Sequence, residues 1–170
     1  MPADGPPNTK LAIIFLLVCA VVAGGFYFLL FRQHNAASLV DLAPYGPGTA
    51  DGLQYRVDKC WATKKKVAIT GWVVRPGKQT GRRRVRIVML DRADGRAHAL
   101  STSLVQRNDV DALLSGQGSK HVDYRLPGFA ASLNLTFAAK TVHDGQLYLL
   151  YDDDEGRGLV PLPCDVRWPK

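Results

Sequence analysis

The sequence predicts an all-β fold, an immunoglobulin-like two-sheet antiparallel β-sandwich, preceded by one transmembrane α-helix. An uncharged apolar stretch fills residues 11–31, and short segments with alternating or β-branched residues recur from residue 53 onward, separated by turns rich in Gly and Asp. These segments do not alternate with long helical patterns, which excludes a parallel α/β sheet. A chain of 170 residues holds one ordinary domain and an appendage.

The apolar stretch at residues 11–31, LAIIFLLVCAVVAGGFYFLLF, carries no charge. It has the length of a transmembrane helix, because a helix rises about 1.5 Å per residue and the bilayer hydrocarbon is about 30 Å thick. The alternative is a cleaved signal peptide, whose apolar region is usually about 7–15 residues and ends in a small-x-small site. Asn35-Ala36-Ala37 fits that site poorly. We therefore expect an uncleaved anchor that follows a cytoplasmic tail at residues 1–10.

The orientation of this helix depends on the cysteines, because its flanking charges are nearly balanced under the positive-inside rule. Cys60 and Cys164 bracket the second part of the chain, as expected for a disulfide formed in an oxidising compartment. The alternative is two unrelated buried thiols. No eukaryotic sorting signal is recognisable. We expect a bacterial inner-membrane protein with a cytoplasmic amino terminus and a periplasmic carboxy-terminal domain.

The remainder of the chain divides into a linker and a domain. Residues 32–52 mix Ala, Pro, Gly and polar residues without periodicity and are predicted to be a linker, and residues 53–170 are predicted to form the β-sandwich. Asp94-Gly95 predicts a hairpin turn, and Pro161 marks the last strand as an edge strand because proline cannot donate to a ladder. The predicted strands are 53–59, 67–74, 84–92, 96–104, 131–137, 145–152 and 158–162.

The segment 67–74, VAITGWVV, lacks a polar face, which indicates a central strand covered on both sides. Trp72 is expected to be a core residue, with stacking on a ligand as the alternative, and Gly71 to mark a bulge or a close backbone approach. One helix interrupts the strand pattern, at residues 108–114. The carboxylate of Asp109 lies in its first turn, near the positive end of the helix dipole.

Motifs for common catalytic and cofactor sites are absent from the sequence, which has no nucleophile elbow, no His-Glu-x-x-His, no phosphate-binding Gly-rich loop and no Cys-x-x-Cys. The acidic run at 152–155 is expected to be a solvated hairpin tip, with a loose calcium site as the alternative. We therefore predict no catalytic residue, no metal ligand and no cofactor. The histidines do not form a ligand spacing; they are His34, His98, His121 and His143.

Positive charge is concentrated in one block, since eleven Lys and Arg residues lie between Arg56 and Arg86 and Asp58 is the only acidic residue there. We expect a basic ligand-binding surface for an anionic partner, such as phospholipid head groups, an acidic glycan or an acidic protein. The alternative is two solubilising loops. Nucleic acid is disfavoured because aromatic residues are not interleaved with these cations. The residues of this predicted surface are Lys64, Lys65, Lys66, Arg82, Arg83, Arg84 and Arg86.

Four short motifs mark the domain between residues 57 and 162: Ile69-Thr70-Gly71-Trp72, RIVMLDRADGRA, Gln106-Arg107-Asn108-Asp109-Val110 and Gly128-Phe129. Together they resemble a β-sandwich module that is appended to bacterial cell-surface polysaccharide and glycosyltransferase-like proteins. The resemblance implies no catalytic residues. Arg107 and Asp109 are expected to be a structural pair that positions the helix against the sheet, with ligand binding as the alternative.

These expectations favour a non-enzymatic, single-pass envelope protein whose β-sandwich is a binding or scaffold module, with cell-surface polysaccharide assembly as its expected setting. A protein partner in a membrane complex is expected, and the small residues around Gly24 and Gly25 would permit close helix contact. An enzyme is a further class, to be tested at His98 or His121. The alternative binding function is an anionic-glycan module with basic loops and stacking rings. The rings considered are Trp61, Trp168, Tyr124 and Tyr148.

Overall fold

The computed structural model describes residues 9–35, 37–46, 52–77, 82–115, 124, 126–138 and 144–167. The chain divides into two compact units, Met1–His34 and Asn35–Lys170.

The first unit is built on one helix, α1, which spans Thr9–Asn35. Among the described residues, it is the one helix long and apolar enough to cross a membrane. The qualifying segment, Thr9–Gln33, has a mean hydropathy of 2.7, and none of it is buried. The sequence prediction of an apolar helix over residues 11–31 is confirmed.

The second unit contains two antiparallel sheets, which confirms the predicted two-sheet sandwich. Sheet A has the strand order β1-β5-β4-β8-β9, and sheet B has the order β2-β3-β7-β6. Two short helices accompany the strands: α2 at Asn108–Ser115 and α3 at Leu135–Ala138. The strands are β1 Leu39–Val40, β2 Gln54–Ala62, β3 Lys66–Val74, β4 Arg84–Asp91, β5 Ala97–Ala99, β6 Ser101–Val105, β7 Gly128–Asn134, β8 Gly145–Asp153 and β9 Gly156–Val166.

The main core lies between the sheets and follows the two-residue period of the strands. In β3 the inward side chains include Val67 and Ile69, and in β4 they include Ile87. Leu149 of β8 and Phe129 of β7 belong to the same buried cluster. Each sheet therefore buries one apolar face against the other, which is the main source of stability in such a fold.

The other face of β3 is also covered at one end. Trp72 and Val74 form a second buried cluster with Val110 and Leu114 of α2 and with Tyr124. The two α2 residues are four positions apart and share one helix face. Helix α2 therefore covers the outer face of sheet B, and Trp72 is a packing residue beneath it.

Strand β2 carries a bulge opposite Gly71. Its register with β3 shifts between Val57 and Lys59, so Asp58 is the extra residue. The sequence predicted either a bulge or a close backbone approach at Gly71, and the structure has both features at this place.

Three segments differ from the strands that the sequence predicted. The edge strand β1 lies within residues 32–52, the predicted linker, and pairs with β5. The predicted strand 96–104 is two strands in different sheets, β5 and β6, which separate at Leu100. The segment 131–137 begins earlier as β7 and ends in α3. The alternating pattern of 96–104 continues through the change of sheet, so periodicity alone could not reveal it.

A disulfide joins the two sheets at one side. Cys60 of β2 and Cys164 of β9 are bonded, with their Cα atoms 6.2 Å apart and a sequence separation of 104. Both β2 and β9 are edge strands, which confirms the predicted bond and the edge position expected from Pro161. The bond therefore closes the sandwich along the side where these two edges meet.

Candidate functional site

The three lysines of the predicted basic surface lie where β2 turns into β3. The turn is fixed by Thr63, whose hydroxyl oxygen accepts hydrogen bonds from the backbone N–H of Lys65 at 3.3 Å and of Lys66 at 3.1 Å. Lys64, Lys65 and Lys66 are exposed, and they form no ion pair within the part of the chain that the structure describes. Their charges are therefore not compensated by neighbouring carboxylates.

This turn adjoins an open part of the outer face of sheet B, which we call the Trp61 face. It consists of Lys59, Trp61, Lys66, Ser132 and Asn134. The register pairs Trp61 and Ser132 with the same residue of β3, and Lys66 with Asn134, so these side chains share the outer side. Trp61 is 45% exposed. An aromatic ring, two ammonium groups, a hydroxyl and an amide therefore meet on one sheet surface.

Three arginines of the predicted surface lie in a different place from the lysines, close to aspartate side chains. Arg82, Arg83 and Arg84 line a cleft of about 240 Å³ together with Arg157 and residues 152–154, all three of which are aspartates. Arg84 lies directly opposite Asp152 across β4 and β8. The β8–β9 hairpin therefore offsets much of the positive charge that the sequence concentrates here.

Arg83 is held by the protein itself. Its guanidinium donates to the carbonyl oxygen of Val73 at 3.4 Å and to that of Leu126. Burial lowers the pKa of Arg83, although it also hydrogen-bonds to Tyr151. Burial likewise raises the pKa of Tyr151, with the nearby Asp153 carboxylate adding to the effect. Arg83 therefore has a structural role here, and its ligand-binding role stays a prediction.

Arg86 is exposed and lies in β4 opposite Leu150 of sheet A. It alternates with the inward residues Val85 and Ile87, so it points away from the core. Lys64 to Lys66 and the Trp61 face belong to sheet B. The predicted basic surface is therefore split between two sheets.

Arg107, in the connection between β6 and α2, joins the first turn of α2 to strand β2. Its Nε and Nη2 atoms donate to the two carboxylate oxygens of Asp109, at 2.8 and 2.7 Å, and Nη1 donates to Asp58, the bulged residue of β2. The hydrogen bonds to Asp109, followed in size by the one to Asp58, raise the pKa of Arg107. The hydrogen bonds from Arg107 in turn lower the pKa of Asp109 to about 2. The first turn of α2 is thus tied to the bulge.

The acidic run at 152–155 forms the tip of the β8–β9 hairpin, as the sequence predicted. Asp153 Oδ1 accepts from the backbone N–H of Glu155 at 3.0 Å and of Gly156 at 3.1 Å. Asp153 Oδ2 accepts from Arg75 Nε at 3.0 Å. One oxygen of this carboxylate therefore shapes the hairpin turn, and the other holds Arg75, the residue after β3.

The aromatic residues predicted as possible sugar-stacking rings differ in their exposure. Tyr124 is 2% exposed, and its hydroxyl accepts from the backbone N–H of Gly77 at 3.0 Å, so it cannot stack on a ligand. Tyr148 is half-buried. Trp168, His121 and His143 lie outside the described residues. Trp61 remains the ring best placed for a contact.

One cluster was missed by the sequence analysis. Asp91, Asp94 and His98 each place one possible ligand atom within 4.8 Å of the others. The signal was present as Asp-x-x-Asp followed by a histidine across the Asp94-Gly95 turn, because a hairpin returns the second strand beside the first.

Comparison with models of protein families, with curated proteins and with solved structures finds no match for this chain.

Proposed function

We propose that this chain is a single-pass protein of the bacterial inner membrane whose periplasmic β-sandwich is a non-enzymatic binding or scaffold module. Its partner is an anionic component of an envelope complex, and cell-surface polysaccharide assembly is the expected setting. The module docks through the Trp61 face and the neighbouring Lys64, Lys65 and Lys66.

The proposed location is supported by two features. Helix α1 has the length and composition of a membrane span. The disulfide between Cys60 and Cys164 belongs to the class of bonds that persist in oxidising compartments such as the periplasm. A helix in the inner membrane with its carboxy-terminal side in the periplasm accounts for both.

The proposed immunoglobulin-like topology is supported by the strand order. Sheet B, β2-β3-β7-β6, corresponds to the order A-B-E-D of an immunoglobulin sandwich, and β4-β8-β9 corresponds to C-F-G. Domains of this architecture are common on cell surfaces, where they present edges and loops to partners.

The observation that carries the binding function is a set of uncompensated cations around an exposed ring. The described residues offer no counter-charge to Lys64, Lys65 and Lys66, whereas the arginine cleft contains its own aspartates. Trp61 is exposed beside them. Exposed aromatic anchors and charge complementarity are typical of binding surfaces.

The test uses the full-length protein in cell membranes with chemical crosslinking, followed by purification in detergent. Replacing Lys64, Lys65 and Lys66 together with Gln should abolish the capture of a specific partner that the wild type retains. The matched control replaces the exposed Arg82, Arg84 and Arg86 with Gln. If both triple variants capture the same partners as the wild type, the proposed surface is wrong.

A second candidate function is the binding of an acidic glycan, favoured by the exposed Trp61 ring between Lys59 and Lys66 on one sheet face. Aromatic rings can stack on sugar rings while ammonium groups pair with uronate or phosphate. Calorimetry with acidic oligosaccharides should show binding that weakens with salt and is lost in Trp61→Ala but kept in Tyr55→Ala, a control on the same strand. If no acidic glycan binds, the glycan-binding function is excluded and protein docking is the remaining candidate.

A further inference from the structure

We propose that Asp91, Asp94 and His98 form a binding site for a divalent transition metal ion, with Zn²⁺ as the best match. This inference does not depend on the proposed docking function. Asp91 ends β4, Asp94 lies in the connection to β5, and His98 is in β5. The hairpin brings one potential ligand atom of each residue within 4.8 Å of the others.

The decisive observation is the state of His98. The residue is 4% exposed, and neither ring nitrogen has a hydrogen-bond partner among the residues that the structure describes. Its register partner Met89 belongs to the main core, so the imidazole lies on the inward face of sheet A. A buried imidazole without partners is unfavourable, and such groups are uncommon in folded proteins. Coordination through one nitrogen would remove that penalty for this atom.

The carboxylates supply the complementary charge. Asp91 is 1% exposed, and its Oδ1 accepts from the backbone N–H of Ala93 at 2.7 Å, which orients the group. Asp94 Oδ1 accepts from the backbone N–H of Arg96 at 2.9 Å. Two carboxylates this close, one of them buried, favour a dication beside them, which would displace the exposed ion pair between Asp94 Oδ2 and Arg96 Nε at 3.7 Å. Backbone hydrogen bonds to metal-binding carboxylates fix their orientation in the same way.

The donor set selects the metal. Imidazole nitrogen and carboxylate oxygen together suit Zn²⁺ and its transition-metal neighbours, whereas Ca²⁺ and Mg²⁺ prefer oxygen ligands alone. Zinc holds such ligands at about 2.0–2.2 Å. Asp94 is exposed, so a metal ion would reach the site from its side. Water would complete a tetrahedral set.

The test uses the full-length protein in detergent, without an affinity tag of histidines and stripped of metal by a chelator. Competition with a chromophoric chelator should give one equivalent of tightly bound Zn²⁺, and Co²⁺ should produce the visible absorption of a tetrahedral site. We expect Asp94→Asn to weaken Zn²⁺ binding by roughly 10-fold or more, since changing even an outer-shell partner of a metal ligand commonly costs that much.

His98→Phe should abolish both the binding and the Co²⁺ spectrum. Asp154→Asn, an exposed aspartate in the β8–β9 turn, is the matched control and should bind like the wild type. Asp94 is also exposed, so its variant is expected to fold, and circular dichroism checks this for each protein. The proposal is overturned if the wild type binds no zinc, or if folded Asp94→Asn binds it as tightly as the wild type does.

Discussion

A Cβ atom added to Gly71 would lie 2.2 Å from the backbone carbonyl oxygen of Arg56. It would also lie 2.8 Å from the Cζ atom of Phe129 in β7, on the other side of β3. The approach accompanies the β2 bulge at Asp58, where the backbone of β2 departs from a regular ladder. Only a residue without a side chain fits between these two strands.

Replacing Gly71 with Ala should therefore lower the free energy of unfolding by about 3 kcal/mol, because the added methyl group must displace backbone atoms as well as a ring. Chemical unfolding of the full-length protein in detergent measures the change. Thr70→Ala, at the neighbouring position, is the control and should cost much less. Equal losses for the two variants would contradict the close approach.

The sequence was sufficient to predict most strands because burial on one face imposes a two-residue period and Gly, Asp and Pro mark the ends. It predicted the central position of 67–74 from the absence of a polar face, and the paired cysteines from their places near the two ends of the domain. It missed β1 because a two-residue strand carries no period. It missed the separation at Leu100 because the same alternation serves two sheets.

The candidate site was less accessible to sequence reasoning. The positive charges of Arg82 to Arg84 are offset by Asp152 to Asp154. These aspartates are distant in sequence, and the pairing of β4 with β8 brings them beside the arginines. Tyr124 was considered as an exposed ring, but α2 and β3 bury it. Such contacts follow from strand order, which local patterns do not encode.

Arg83 should be needed for stability although it was expected to bind a ligand. Replacing it with Met leaves the carbonyl oxygens of Val73 and Leu126 without this donor, and should cost about 2 kcal/mol of unfolding free energy. Arg82→Met removes the same charge from an exposed neighbour and should be nearly neutral. Thermal unfolding of both proteins would settle the matter, and equal melting temperatures would exclude a structural role for Arg83.

The disulfide should contribute strongly to stability. Replacing Cys60 and Cys164 with Ser should lower the unfolding free energy by about 5 kcal/mol in the chain-entropy model, because the bond closes a long loop. In the wild type, Cys19 is the one cysteine expected to react with a maleimide after denaturation without reductant. Labelling of three cysteines under these conditions would show that the bond does not form in cells.

Helix α1 should remain in the membrane as part of the mature protein. Its apolar residues are exposed in the folded chain, and only lipid or another membrane helix would cover them. We expect the full-length chain to stay in the membrane pellet after alkaline carbonate extraction, with a mass that includes α1. A mature protein that begins after α1 would identify the helix as a cleaved signal sequence and would exclude the proposed membrane anchor.

The contact between Arg107 and Asp109 should be visible in the pH dependence of stability. The pKa of Asp109 is lowered to about 2 from an ordinary value of 3.8, chiefly by the hydrogen bonds from Arg107. Because the folded protein holds the ionised form more strongly than the unfolded chain does, the contact stabilises the fold fully above the ordinary pKa. This contribution is lost as the pH falls through 3.8 towards 2.

Replacing Arg107 with Gln should therefore raise the pKa of Asp109 towards 3.8, as followed by NMR of its carboxyl carbon. The stability difference between the wild type and Arg107→Gln should be larger at pH 6 than at pH 2. Asp165 is an internal control, since its pKa is lowered by Arg92 and Arg167 and should not change in this variant. An unchanged pKa of Asp109 would mean that Arg107 does not hold it in solution, and the link from Asp109 of α2 through Arg107 to the β2 bulge would be wrong.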